Sequence, residues 1–157
     1  MEQRRAPLLV TIPPPIIYAA TFAVGMAVDW LMPWSPDWTG SDLVQWLGWA
    51  FIIAGLLLGP GSASLFALRR TTLNPAGQPA RLVTNGPFAV SRNPMYAGVT
   101  MIYLGAALAL GKLWPLVLVV LPWATTNWIV IPFEEARLRN TFGQAYVDYC
   151  RRVRRWV

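Results

Sequence analysis

Four uncharged stretches dominate the chain: Ala6–Val28, Leu43–Leu68, Met95–Gly111 and Leu113–Phe133. The hydrocarbon core of a bilayer, roughly 30 Å thick, is crossed by about 20 apolar residues in a helix, and each stretch comes near that length. The pattern predicts membrane helices over about 16–33, 43–68, 95–111 and 113–133, the third of them short. Pro13, Pro14 and Pro15 make the opening of the first stretch extended, which puts the helix start near Ile16. Gly59, Pro60 and Gly61 are expected to bend the second. Only Gly111 and Lys112 separate the last two, so these form a tight helical hairpin. The expected fold is all-α: one four-span membrane domain over 1–157, followed within it by a polar helical segment, 134–157.

Composition agrees with that pattern. The chain has 157 residues, 55% of them apolar, with nine tryptophans, more apolar surface than a soluble domain of this size can bury. Cys150 is the only cysteine, so no disulfide forms within the chain, and the absence of histidine removes the usual acid–base group and the commonest metal ligand. No metal is expected.

The distribution of charge supplies the orientation. With four crossings, twelve of the thirteen cations fall on one side, and Lys112 alone sits opposite, beside the connection holding Asp29, Asp37 and Asp42. The positive-inside rule puts that basic side, with both termini, in the cytoplasm, as in a bacterial inner-membrane protein. Arg4 and Arg5 before an apolar run also suit a signal peptide, but the three prolines and the continuation through Met26 argue against cleavage. RRVRR at 151–155 reads as a topology signal that meets anionic membrane lipids, not nucleic acid.

Chemistry concentrates in the second half. Residues 69–95 are too polar to cross a membrane and carry turn signals at Asn74-Pro75, Gly77, Asn85-Gly86-Pro87 and Asn93-Pro94. Past the fourth span, Glu134 and Glu135 suit the first turn of a helix, and Glu135 and Arg139 have the i,i+4 spacing of a surface ion pair. Gly143 breaks that helix, and Tyr146 and Tyr149 share a face of the next. Carboxylates at a membrane boundary, facing a polar loop, suit a cationic ligand. In the fourth span, Asn127 with Thr125 and Thr126 is the notable polar cluster, either bonding between helices or facing a substrate.

LVTNGPFAVSRNPMYAG at 82–98, followed by EEARLRNTFGQAYVDY at 134–149, resembles the isoprenylcysteine carboxyl methyltransferases and the similar phospholipid N-methyltransferases, over about residues 70–155. The resemblance implies an integral membrane methyltransferase that uses S-adenosyl-L-methionine on a lipophilic acceptor. It places Ala80, Arg81, Leu82, Val83, Phe88, Asn93, Pro94, Met95, Tyr96 and Glu134 around the cofactor. Phe88 would stack on adenine and Glu134 would hold the cationic amino-acid end. Glu135 or Tyr96 would take the proton from an amine acceptor, whereas a carboxylate or thiolate needs no strong base.

Two departures bear on the acceptor. Arg92-Asn93-Pro94 stands where the prenylcysteine enzymes have Arg-His-Pro, and Val130 occupies the position of their carboxylate-binding arginine. A prenylcysteine carboxylate would lack a basic partner at that depth, so a lipid amine, a thiol or a lipid-like small molecule fits better. The rival functions are an NADPH-dependent membrane reductase of related architecture and a non-catalytic lipid-binding scaffold. Gly55 and Gly59 have the spacing of a helix-packing motif that serves equally within one chain or between copies.

Overall fold

The computed structural model describes residues 8–34, 36–68 and 81–156. The described residues form helices α1 (Leu8–Thr11), α2 (Pro14–Leu31), α3 (Asp42–Leu68), α4 (Pro94–Ala109), α5 (Leu113–Phe142) and α6 (Gln144–Arg152). Short 3-10 turns lie at Asp37–Gly40 and Gly86–Ala89. Among the described residues there is no strand; one bridge joins Ser91 to Arg154. Three helices, α2, α3 and α5, are long and apolar enough to cross a membrane, and α4 is a shorter apolar helix of 16 residues.

Two boundaries differ from those expected. The helix predicted from Ile16 begins at Pro14, because a helix's first turn has unbonded N–H groups anyway and proline gives up nothing there. The helix of the fourth apolar stretch does not end at Phe133. It continues through both glutamates to Phe142, where Gly143 at φ +54 stops it. Pro132 is accommodated by a π turn over Thr126–Val130, whose wider hydrogen-bonded ring relieves the clash that a proline makes with the preceding turn.

α3 and α4 pack antiparallel along a glycine seam. A Cβ on Gly98 would lie 2.5 Å from the Gly59 backbone nitrogen, and one on Gly105 would lie 2.5 Å from the Gly48 carbonyl oxygen. Gly55 also meets Gly98, so the Gly55–Gly59 pair is used within the chain. α2 packs on the first half of α5, with Gly25 against Pro115. There Lys112 Nζ donates to Asp29 Oδ2 at 2.6 Å, while buried Asp29 Oδ1 has no partner. Of the four charges that the sequence put on this sparsely charged side, Lys112 and Asp29 thus form one pair. The opposite end of the bundle carries residues 81–93 of the polar loop, the second half of α5, and α6.

Candidate functional site

The loop entering α4 and the polar half of α5 converge at that end. Pro94 opens α4 and is fully buried, and Tyr96 two residues on points at α5. Its hydroxyl donates to Glu134 Oε1 at 2.6 Å. The ring packs with Val130 and Ile131, both fully buried. A carboxylate has about four lone-pair sites, so Tyr96 orients Glu134 while leaving it capacity for a ligand.

Glu135, one residue on and about 100° around the helix, faces elsewhere. Arg155 donates to both its oxygens, from Nε at 3.1 Å and from its terminal nitrogen at 2.7 Å, and Arg92 pairs with it at 3.0 Å. The expected Glu135–Arg139 pair gives way to this triad, since two half-buried guanidiniums offer more than one exposed i+4 neighbour. Arg92 also donates to the Cys150 thiol.

The segment after α6 ties these groups together. The backbone N–H of Arg92 donates to the Arg154 carbonyl at 2.9 Å. The Asn93 side-chain amide and the Ser91 hydroxyl both donate to the Arg155 carbonyl. α6 lies beneath: Tyr146, Tyr149 and Val153 form a buried cluster against which Leu82 and Leu138 pack. The Tyr149 hydroxyl donates to the Phe88 carbonyl at 2.7 Å. Burial pushes the Tyr149 hydroxyl up to about 12 and raises Tyr146 as well, so both stay neutral at physiological pH.

Of the residues that the resemblance grouped, the structure brings Tyr96 to Glu134. Leu82, Val83, Phe88, Asn93, Pro94 and Met95 lie on the adjoining loop and helix start. Phe88, Asn93 and Pro94 are largely buried in packing, and Arg81 is exposed. Ala80 lies outside the described residues. A groove of about 300 Å³ runs along α5 past Pro132, Glu135, Ala136, Arg139 and Asn140, and takes in Glu135 alone of the expected site. Sequence reasoning missed the partnership of Arg92 and Arg155 and the placing of Trp156. The indole of Trp156 packs on the Tyr96 cluster and donates to Asn127 Oδ1 at 3.0 Å. Its only signal was an aromatic residue following an arginine run.

Three apolar helices long enough to cross a membrane, with the Tyr96–Glu134 pair and the Glu135 triad at one end of the bundle, make an architecture in which a water-soluble ligand and a lipid can meet. The chain matches the family model for phospholipid methyltransferase over residues 43–145. It therefore belongs to the phospholipid methyltransferase family and is a membrane methyltransferase with a lipid-like substrate. The match takes in α3, which lies ahead of the residues, about 70–155, that carry the resemblance. No curated protein and no solved structure matches the chain.

Proposed function

We propose that this protein transfers a methyl group from S-adenosyl-L-methionine to a lipid amine at the cytoplasmic face of the membrane. In this reading α2, α3, α4 and α5 all cross the bilayer, and the arginine-rich end lies inside the cell. The observation that carries the proposal is the Tyr96–Glu134 pair at 2.6 Å, an oriented carboxylate at the boundary between apolar and polar helix.

The donor set fits such a cofactor. Glu134 is the anionic partner for its ammonium, and the ring of Tyr96 is an aromatic neighbour for a sulfonium. When bound, the cofactor supplies an electrophilic methyl group. The protein's part is alignment, since methyl transfer to a good nucleophile depends chiefly on geometry. Tyr96 holds Glu134 in one orientation. Glu135, engaged by three charged contacts, positions the loop through Arg92 and the following segment through Arg155. That leaves Tyr96 and Glu134, rather than Glu135, as the groups free to relay the proton of an amine acceptor.

Calorimetric titration of detergent-solubilised protein tests this. Wild type is expected to bind S-adenosyl-L-methionine, and Glu134→Gln to weaken binding by about 1.5–3 kcal/mol, the range for a charged hydrogen bond. Folded wild-type protein that binds no S-adenosyl-L-methionine would end the proposal.

A further inference from the structure

Trp156 makes contacts on two sides. Inward it packs on Tyr96, Val130 and Ile131; outward it stacks on Trp123, with ring centroids 6.3 Å apart and planes 28° off parallel. Trp123 meets Trp128 edge-on at 5.7 Å, and Trp128 is 66% exposed on α5. The backbone just before Trp156 is fixed by the bonds from Arg92, Ser91 and Asn93 to the carbonyls of Arg154 and Arg155. The indole itself is held by one neutral hydrogen bond to Asn127 and by ring contacts, which a side-chain rotation exchanges.

Chemistry limits what can replace it. Asn127 Oδ1 accepts a hydrogen bond from an N–H donor, and the face of Trp123 accepts a cation. A protonated amine meets both requirements at once, and tryptophans gather at the depth of the lipid headgroups. We infer that Asn127 and Trp123 form a docking subsite for the ammonium headgroup of a phospholipid that arrives across Trp128, with the Trp156 indole filling the subsite until the lipid displaces it. This rests on the lipid-amine reading of the site above. Trp156 becomes a specificity-determining residue: it separates the Tyr96–Glu134 pair from the lipid-facing side of α5 and sets how far a headgroup enters.

The test uses the full chain in nanodiscs containing a phosphatidylethanolamine with a diazirine near its acyl carbonyl. Crosslinked residues are mapped by mass spectrometry, and S-adenosyl-L-methionine affinity is measured in parallel. Labelling is expected around residues 123–128 and 153–156. It should rise about fivefold in Trp156→Ala and less in Trp156→Phe, and fall about fivefold in Asn127→Leu, the size of one neutral hydrogen bond. Cofactor affinity should stay at its wild-type value in Asn127→Leu. Labelling elsewhere, or labelling indifferent to both positions in protein that binds the cofactor, overturns the inference. Labelling as expected without cofactor binding would keep the lipid subsite and overturn the methyl-transfer reading.

Discussion

Glu134 and Glu135 are neighbours in the chain with opposite circumstances. The first accepts from the Tyr96 hydroxyl; the second is held by Arg92 and by Arg155 twenty residues on. Breaking a charge-assisted triad leaves its arginines unmatched. Glu135→Gln is therefore expected to lower stability by about 1.5–3 kcal/mol, read from thermal unfolding in detergent. Arg139→Ala, which leaves that triad intact, should stay within about 0.5 kcal/mol of wild type. Equal effects would show that the exposed i,i+4 pair, not the triad, holds Glu135. The sequence made the i+4 neighbour visible because helix geometry alone sets that distance. Arg92 and Arg155 reach Glu135 only after a loop and two helices have been placed, which local spacing does not encode.

Among the elements, the α3–α4 pair depends on the absence of side chains. A methyl at Gly98 would press on the backbone of Gly59, which cannot rotate away, whereas a methyl at Gly61 meets nothing within 4 Å. Gly98→Ala should destabilise by about 1–3 kcal/mol through overpacking. Gly61→Ala should be neutral or stabilising by up to about 1 kcal/mol from helix propensity. Thermal stability of the two variants side by side checks this, and a harmless Gly98→Ala would mean that the helices are not in close contact there. The glycine spacing was legible beforehand, but its partner was not: Gly55 and Gly59 could equally have met a second copy. α5 teaches the same lesson from its length. Hydropathy ends at Phe133 because the residues become polar, yet the backbone hydrogen bonds continue to Gly143, and the π turn before Pro132 lets the two halves join.

For the whole molecule, charge distribution governs the proposed placement in the membrane. Ser41 lies in the exposed connection between α2 and α3, and Cys150 lies at the arginine-rich end. In right-side-out membranes, a membrane-impermeant maleimide should label Ser41→Cys in a Cys150→Ser background and leave native Cys150 unlabelled until the membrane is opened. The reverse pattern would invert the orientation. The sequence by itself determined the all-helical class of fold, the apolar segments and the family motifs. These depend on composition and short-range spacing, which survive whatever the helices do next. Only the tertiary structure decided that Lys112 pairs with Asp29, that Tyr96 donates to Glu134, and that Trp156 lies against Asn127. Such contacts are made by side chains far apart in the chain, and their geometry exists only once packed helices have brought the backbones to a fixed separation.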